Sequence, residues 1–336
     1  MRVCIIGGTG NISTPFVPLL LEMGHEVTLF NRGQSKPSTA YDAHAERRRG
    51  VRVIQGDLKD REAFEQRMQE ERFDYAIDMM CHNRDDAISC IRAFRGIKHF
   101  VQCSTVCTYG VDYDWLPATE DHPLRPITDY GRNKVAADHV FLEAFHRDGF
   151  PVTIIKPSTT YGPKWPILRQ VCWDTTWIDR IRKGKPIVVC GDGKAPHQFL
   201  YVDDAAPAFC FALGRTRCVG RVYNMMRPGF VTWEKYTRSV MKAVGREVDI
   251  VGVPLANIIA ANVPSADICA TIFAHNVIYD PSALCRDVPE FHPRISLEEG
   301  LRRVIEANAR EGRIGNSDEL MWEDALIAAQ RRVGAA

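Results

Sequence analysis

Tyr130 and Lys134 stand four positions apart in a stretch whose apolar residues recur with helical spacing. Residues four apart share one face of a helix, so the ammonium group is expected beside the phenol. A neighbouring positive charge stabilises the phenolate and lowers the tyrosine pKa toward neutrality. Such a phenol can exchange a proton with a hydroxyl group while hydride leaves or enters at the same carbon. The spacing alone also describes an ordinary pair on a surface helix.

The first apolar run of the chain leads into a glycine-rich turn at residues 7–13. Glycines let the backbone approach a pyrophosphate closely, and a helix N-terminus offers unpaired N–H groups with a favourable dipole. The strand–turn–helix context therefore predicts a nicotinamide-dinucleotide site. The predicted contacts in the turn are Gly7, Thr9, Gly10, Asn11 and Ile12. Ser13 stands where the usual spacing has a third glycine for close helix–strand packing.

The end of the second predicted strand bears on the choice of dinucleotide. An acidic residue there would bind the adenosine ribose of NAD, but Asn31 and Arg32 occupy the position. Arg32, with Ser35 and Lys36 behind it, favours the 2′-phosphate of NADP. Stacking of Arg32 on adenine, or its exposure to water, are the alternatives. The predicted cofactor is therefore NAD(P), with NADP favoured.

The third predicted strand is followed by Asp57 and Leu58, which we assign to the cofactor site. The Asp57 carboxylate is placed to accept a hydrogen from the adenine amino group. Capping of the helix that begins at Arg61 is a compatible role for the same side chain.

Short apolar runs bounded by turns predict strands at Val3–Ile6, Glu26–Phe30, Val51–Ile54, Tyr75–Met79, His99–Cys103 and Val152–Ile155. Amphipathic stretches between them predict helices at Ser13–Met23, Arg61–Glu71, Ala87–Phe94 and Tyr130–Arg147. Strands that read as continuous apolar runs between helices belong to parallel sheets covered on both faces. The predicted fold class is therefore α/β, a Rossmann-type doubly wound parallel sheet.

Tryptophans and prolines become frequent after Gly162-Pro163, which marks a change of domain. We predict a dinucleotide-binding domain over residues 1–163. A smaller C-terminal substrate lobe with a helical tail follows over residues 164–336, and residues of about 187–210 return to the first domain. The elements predicted there are strands at Ile187–Cys190 and Phe199–Val202 and helices at Asp204–Gly214, Trp233–Val244, Leu297–Arg310 and Asp318–Arg332.

Four segments in order resemble the extended short-chain dehydrogenase/reductase superfamily, which includes sugar-nucleotide epimerases and dehydratases. They are Gly7–Ser13, Ser104–Gly110, Tyr130–Lys134, and Tyr161-Gly162-Pro163 with the later Gly191–Gly193 and Tyr201–Asp204. The resemblance covers roughly the whole chain.

The resemblance implies a catalytic hydroxyl at the end of the fifth strand. By position relative to Tyr109-Gly110 this is Thr105, with Ser104 in reserve. It also implies that Tyr130 and Lys134 act as proton-transfer groups that touch the cofactor. Pro157 and Thr160 bound the segment expected to face the nicotinamide. Cys81-His82-Asn83 is expected near the cofactor as well, and His82 is interpreted as a packed or solvated histidine rather than a catalytic one.

The chain departs from family dehydratases directly after the hydroxyl residue. Those enzymes carry Asp-Glu there, whereas this chain has Val106-Cys107. Ordinary 4,6-dehydration is therefore disfavoured. A thiol with a depressed pKa can act as acid or base, so an elimination that uses Cys107 is one alternative. The other is that Cys107 is only a small apolar neighbour of the site.

A second departure is His197, which stands where many relatives have an arginine that clamps a nucleotide diphosphate. An imidazole cannot replace the bidentate guanidinium. Either Lys164, Arg169 or Lys194 holds the diphosphate, or the substrate carries no nucleotide. The predicted substrate contacts are Thr105, Tyr161, Lys164, Arg169 and His197.

The composition of the chain limits the classes of partner that it is expected to bind. The net charge of +1 over 336 residues gives no reason to expect nucleic acid or an anionic membrane, and Arg47–Arg49 reads as a solvated helix face. No stretch approaches the length of a membrane span, and no export signal is recognised. Eleven scattered cysteines predict buried thiols in a reducing cytoplasm and no structural metal.

The leading hypothesis is an NAD(P)-dependent epimerase or oxidoreductase that acts by hydride transfer at a hydroxyl-bearing carbon of a sugar or sugar nucleotide. The alternatives are a dehydratase that uses Cys107 and a non-catalytic dinucleotide- or RNA-binding relative. The resemblance also implies a homodimer through the tyrosine helix. Ala136, Val140 and Phe141 would supply its apolar face, unless they pack on their own sheet.

Overall fold

The computed structural model describes residues 1–34 and 51–334. The interpretations of Ser35, Lys36 and Arg47–Arg49 lie outside these residues. The strands are β1 (Arg2–Ile6), β2 (Glu26–Asn31), β3 (Arg52–Gln55), β4 (Tyr75–Asp78), β5 (His99–Cys103), β6 (Val152–Pro157), β7 (Thr159–Tyr161), β8 (Ile187–Cys190), β9 (Pro196–His197), β10 (Phe199–Tyr201), β11 (Val222–Met225), β12 (Val231–Thr232) and β13 (Ile250–Val253).

The α-helices of the same residues are α1 (Phe16–Glu22), α2 (Arg61–Glu71), α3 (Arg84–Ala93), α4 (Asp129–Asp148), α5 (Thr176–Lys183), α6 (Val202–Ala212), α7 (Trp233–Val244), α8 (Leu255–Ala260), α9 (Ser282–Asp287), α10 (Leu297–Arg310) and α11 (Trp322–Gly334). No helix in the described part of the chain is both long and apolar enough to cross a membrane.

The central sheet has the strand order β11-β6-β5-β4-β1-β2-β3, and its neighbouring strands run parallel. This confirms the predicted α/β class. Val3, Ile5 and Ile6 of β1 are 0% exposed, because helices cover both faces of a doubly wound sheet. Ile6 pairs with Phe30 of β2 and with Asp78 of β4, so the carboxyl ends of three strands meet. The order reverses at β1, which is where such sheets bind ligands.

Helix α4 packs its apolar face into the core of its own chain. Phe141 is 0% exposed and stacks on Phe100 of β5 at 5.3 Å between ring centroids, and Val140 is 8% exposed in the same cluster. These two residues are therefore not available as the apolar face of the predicted homodimer, and Ala136 is only partly buried.

Two predicted boundaries were wrong for local reasons. The first helix begins at Phe16 rather than Ser13, because the Ser13 side chain is bonded within the glycine turn. Val202 begins α6 instead of ending a strand, because Asp203 and Asp204 occupy the first helical turn, where the helix dipole favours carboxylates.

The chain divides into two compact units. Unit 1 comprises Met1–Thr160, Val202–Arg227 and Tyr279–Arg294, and unit 2 comprises Tyr161–Tyr201, Pro228–Ile278 and Ile295–Ala336. The predicted returning segment was about 187–210, whereas residues 187–201 belong to unit 2 and the return begins at Val202. The later return at Tyr279–Arg294 has no signal that we recognised in the sequence.

Unit 2 contains two short sheets, one of β8 with parallel β13 and one of β9 with antiparallel β12. A buried ion cluster fixes its last helix. The carboxylate of Glu323 in α11 forms ion pairs with Arg169 Nη2 at 2.7 Å and with Arg180 Nε at 3.3 Å. All three side chains are at most 2% exposed.

Candidate active site

The glycine turn after β1 is braced by Ser13. Its Oγ donates to Gly7 O at 2.7 Å and accepts from Gly10 N at 3.1 Å, so a hydroxyl ties the turn where other sequences have a glycine. Gly7 has φ +76°, and a Cβ there would lie 2.4 Å from Met80 Cγ. A Cβ on Gly8 would lie 2.5 Å from Leu29 Cδ2. The turn therefore requires glycine at both positions.

Two amide oxygens at this end of the sheet are buried without a hydrogen-bond partner in the described structure. They belong to Asn11, which follows the turn, and to Asn31, the last residue of β2. Buried polar atoms are normally paired, so these two point to a ligand that brings donors. The glycines, the helix N-terminus and the two asparagines together fit the ribose and pyrophosphate of a dinucleotide.

The residues predicted for the adenosine end are exposed. Arg32 lies open at the end of β2, and its carbonyl accepts from Gln55 Nε2 at 3.2 Å. Asp57 is also exposed and closes a local turn by accepting from Lys59 N at 3.0 Å. The cap of α2 is Asp60, which accepts from Ala63 N. The suggestion that Asp57 caps this helix was therefore wrong, because Asp60 is the capping residue.

The segment after β5 contains both candidate catalytic hydroxyls, and their surroundings differ. Thr105 is 7% exposed and begins the 3-10 turn Val106–Thr108, with its Oγ1 accepting from Cys107 N at 3.2 Å. Ser104 is 2% exposed, and its Oγ donates to Asp138 Oδ2 at 2.7 Å. Because the Ser104 hydroxyl donates to a buried carboxylate of the protein, we favour Thr105 as the hydroxyl residue and keep Ser104 as the second candidate.

Tyr130 lies in the first turn of α4 and is the most accessible of the predicted catalytic side chains, at 47% exposure. Desolvation of the phenol, followed by the thiols of Cys103 and Cys107, raises the tyrosine pKa well above its ordinary value, and a hydrogen bond with Thr105 opposes this. In the protein alone these groups favour the protonated phenol, which is the direction opposite to the one that the Tyr130–Lys134 spacing predicts.

Lys134 explains this difference. Its ammonium group lies 5.9 Å from the Tyr130 ring centroid and donates to two main-chain carbonyls, Cys81 O at 2.6 Å and Cys103 O at 2.8 Å. The lysine is 2% exposed. The two residues share a helix face as predicted, but the positive charge is directed to the ends of β4 and β5 rather than to the phenol oxygen.

Cys107 and His82 border the same site. Cys107 is half-buried, and burial raises the pKa of its thiol, so it holds its proton and is a poor base. The depressed pKa that a thiol base requires is therefore absent. The His82 ring centroid lies 6.5 Å from that of Tyr130, and desolvation, with the charge of Lys134, lowers the imidazole pKa.

Sequence reasoning missed three polar groups near these residues. Asp78 is fully buried and shapes the loop after β4 by accepting from Met80 N at 2.7 Å and Cys81 N at 3.1 Å. Asp138 and Lys156 form a buried ion pair at 3.6 Å. The signal for Asp138 was its position four residues after Lys134, which extends the Tyr130–Lys134 face by one turn.

The predicted substrate residues of unit 2 have structural roles. Arg169 is 3% exposed and places its guanidinium on Glu323 and Asp174, which argues against contact with a substrate phosphate. Tyr161 is 4% exposed, and its hydroxyl lies 2.4 Å from where a Cβ on Gly300 would be. Both side chains fill the interior of their unit.

His197 is 2% exposed inside an aromatic cluster, with its ring 4.9 Å from Phe199, 5.0 Å from Trp233 and 5.1 Å from Phe273. Burial lowers its pKa to about 3. A neutral, enclosed imidazole is unsuited to binding a diphosphate, which argues against His197 as a substrate contact. Lys164 is partly exposed, and Lys194 forms an ion pair with Glu234.

Pro157 closes β6, and Thr160 is partly buried within β7. Ser158, between them, is held by its amide, which donates to Met225 O of β11 at 3.1 Å. The described residues contain no cluster of three or more side chains suited to binding a metal ion.

The comparisons with known proteins agree with this geometry. Residues 3–225 match the model of the NAD dependent epimerase/dehydratase family. The chain is 27% identical over 337 residues to 2'-dehydrokanamycin reductase of Streptomyces kanamyceticus, which covers 98% of this chain and 92% of the relative. It is 25% identical to the chloroplast stem-loop binding protein of 41 kDa b of Arabidopsis thaliana, over 73% of this chain and 63% of that protein.

The structure of dTDP-glucose 4,6-dehydratase from Bacillus anthracis in complex with NAD superposes with a TM-score of 0.74 at 19% identity, over 93% of this chain and 98% of that one. At this identity the likeness concerns the fold.

A doubly wound parallel sheet, a glycine turn after its first strand and a tyrosine–lysine helix define the class of extended short-chain dehydrogenases/reductases. Within that class, the chain belongs to the NAD dependent epimerase/dehydratase family and is an enzyme of this family. Its cofactor is accordingly a nicotinamide dinucleotide.

Proposed function

We propose that this protein reduces a ketone on a sugar ring to the alcohol, with Tyr130 as the proton donor, and that it catalyses the reverse oxidation where equilibrium allows. The observation that carries the proposal is the placement of the Tyr130 side chain, which is 47% exposed in the first turn of α4, hydrogen-bonded to Thr105 and on the same helix as the buried Lys134. A group that holds its proton is suited to donate it to the alkoxide that forms as a carbonyl is reduced.

The protein's own residues supply orientation and the proton. The glycine turn with Asn11 and Asn31 would hold the dinucleotide, which when bound in its reduced form would supply the hydride. Thr105 and Tyr130 converge on the carbonyl oxygen, where both hydroxyls can donate. The Thr105 oxygen already accepts from Cys107 N, which leaves its hydrogen free to point at Tyr130 or at the substrate.

We propose a substrate without a nucleotide diphosphate. The guanidinium of Arg169 and the ring of His197 are enclosed within unit 2, so neither can meet a phosphate. The segment that joins Thr105 to Tyr130 carries five carboxylates against one arginine over residues 111–129. Two of these side chains, Asp112 and Asp129, are 87% and 91% exposed, and they lie 3.9 Å from Arg125 and 2.7 Å from Arg132. The excess of carboxylates that remains over this segment disfavours a diphosphate and favours a cationic amino sugar.

The full-length similarity to 2'-dehydrokanamycin reductase supports the same substrate class, since that relative's name describes reduction of an aminoglycoside ketone. For the cofactor we propose NADPH over NADH, because the exposed Arg32 occupies the position where NAD-binding proteins have a carboxylate.

The test compares wild-type protein with Tyr130→Phe on a keto-aminoglycoside and on keto sugar nucleotides, following NADPH absorbance. We expect turnover on the cationic ketone, with kcat lower by a factor of about 100 or more in the phenylalanine variant, and unchanged dinucleotide affinity. A Tyr130→Phe protein with full kcat would refute the proton-donor role. Preference for the sugar nucleotides would refute the substrate class.

The dehydratase alternative is separated by Cys107→Ala in the same assay. Since burial keeps the thiol protonated, we expect this variant to retain wild-type kcat within about threefold. Loss of turnover together with a product lighter by one water would favour elimination instead. Tight, salt-sensitive binding of an RNA stem-loop would favour the non-catalytic alternative.

A further inference from the structure

We infer that Asp138 and Lys156 form a positioning pair that holds the hydroxyl segment and the tyrosine helix together and sets the charge balance around Tyr130. The inference rests on the proposed function, because its consequence is read in proton donation by Tyr130. Neither residue is expected to touch the substrate.

Asp138 lies on α4 one turn beyond Lys134, and its side chain is 3% exposed. The same oxygen, Oδ2, receives the Ser104 hydroxyl at 2.7 Å and lies 3.6 Å from Lys156 Nζ. Its other oxygen, Oδ1, is buried and has no hydrogen-bond partner among the described residues. Burying a carboxylate with one oxygen unpaired lowers the stability of the fold. Its presence here therefore suggests that its charge acts on the neighbouring groups.

Lys156 joins a third segment to this point. It lies on β6 directly before Pro157, with its side chain 4% exposed and its ammonium group 4.7 Å from the Tyr109 ring centroid. Tyr109 in turn donates to Asn224 Oδ1 of β11 at 2.8 Å. The pair therefore connects the Ser104–Thr105 turn, the tyrosine helix and the start of the segment at Pro157.

Buried ion pairs often stabilise a fold no better than apolar residues of the same size. This pair joins the three segments that are expected to carry the hydroxyl, the phenol and the nicotinamide contact. Its role is therefore better explained by holding these segments in their relative positions than by stabilising the fold. Ser104 is the direct link, because it precedes Thr105 and is anchored to Asp138.

The charges that surround these groups fix the sign of the electrostatic effect. Tyr130 is faced by Cys103 of β5, Cys107 of the following turn and His82 of the loop after β4. On its own helix it senses Lys134 and the carboxylate of Asp138.

Around the pair itself, Asp138 is faced by Lys134 and Lys156, and it also acts on the thiols of Cys81 and Cys103. Lys156 is faced by Glu120 as well as by Asp138. Burial raises the pKa of Asp138 and lowers that of Lys156, and the attraction between the two groups opposes both shifts and favours the charged pair. Removing the charge of Asp138 therefore leaves a net gain of positive potential at Tyr130, which favours phenolate.

The experiment measures kcat/KM for ketone reduction against pH in Asp138→Asn, in Lys156→Met and in the double variant. Asparagine preserves the acceptor for Ser104 but removes the charge. Because eight helical residues separate the two positions by about 12 Å, we expect the alkaline limb of Asp138→Asn to move to lower pH by up to about one pH unit. Lys156→Met should move it to higher pH, and the double variant should return toward wild type.

Glu143→Gln is the control, since this carboxylate lies on the same helix with a side chain 64% exposed. It should leave the limb in place. If Asp138→Asn lowers kcat with an unchanged pH profile, or if the double variant shifts as far as the single, the pair is merely structural and the inference fails.

A substrate-independent measurement separates this failure from failure of the proposed function. Tyrosine 13Cζ NMR on the complex with the oxidised dinucleotide follows ionisation of Tyr130, whose signal is identified by its loss in Tyr130→Phe. A shift of that titration in Asp138→Asn supports the pair even if no ketone is reduced. An unmoved titration refutes it even if the enzyme is fully active.

Discussion

Replacing Glu323 by glutamine tests the assignment of Arg169 to the interior of unit 2. The wild-type carboxylate accepts from Arg169 Nη2 at 2.7 Å and Nη1 at 3.0 Å, and from Val188 N at 2.7 Å. Arg180 Nε lies 3.3 Å away. Glutamine has the same shape, so the change keeps the volume, removes one charge and replaces one of the two acceptor oxygens by an NH2 donor.

The expected cost follows from burial. Two guanidinium groups, 2% and 1% exposed, lose the carboxylate they share. Breaking a buried pair in this way costs about 3–5 kcal/mol. Asp174 still pairs with Arg169, and Asp324 with Arg180, which places the expectation at the lower end, about 3 kcal/mol. For a unit of this size that is a fall in Tm of roughly 6–12 °C.

Asp318→Asn is the matched control. Asp318 also accepts from two cations, Lys183 Nζ and Lys185 Nζ, each at 2.6 Å, but its side chain is 54% exposed. Surface pairs contribute little, so its Tm should stay within about 2 °C of wild type. Thermal unfolding followed by circular dichroism compares the two. Equal shifts in the two variants would refute the claim that burial decides the value of these pairs.

Two further predictions follow from the turn and from the buried histidine. Gly7→Ala, with φ +76° and a Cβ 2.4 Å from Met80 Cγ, should weaken dinucleotide binding by a factor of about ten or more in calorimetry, whereas Gly24→Ala, with φ +78° and open space, should bind normally. His197 has a pKa of about 3 in the fold against 6.5 when unfolded, so the unfolded chain binds the extra proton and stability falls as pH drops from about 6.5 toward 3. His197→Phe should flatten that part of a plot of Tm against pH. A wild-type Tm that does not change between pH 7 and pH 4 would contradict the second prediction.

The sheet was predictable because parallel strands buried on both faces read as uninterrupted apolar runs. Val3–Ile6 shows this, and it lies within β1 of the structure. The glycine turn was equally legible, since its chemistry needs no partner from elsewhere in the chain. Local patterns of this kind carry the fold class and the cofactor type.

The departures from the sequence expectations at Arg169 and Tyr130 share a physical cause. Arg169 looked like a phosphate ligand because nothing nearby in sequence neutralises it fully, and its main partner Glu323 lies 154 residues away. The pKa of Tyr130 was misjudged because helical spacing fixes which residues share a face but not where a long ammonium side chain points. The partner of Arg169 and the direction of the Lys134 side chain both depend on tertiary contacts, which residue spacing in the sequence does not reveal.

Lys134 fastens two strand ends. Its ammonium group joins the carbonyl of Cys81, in the loop after β4, to the carbonyl of Cys103, the last residue of β5. A methionine at this position would therefore release these two segments from one another at the same time as it deleted a charge. An inactive Lys134 variant would by itself say nothing about proton transfer, whereas Tyr130→Phe removes only the hydroxyl of a side chain that is 47% exposed and leaves these main-chain contacts in place.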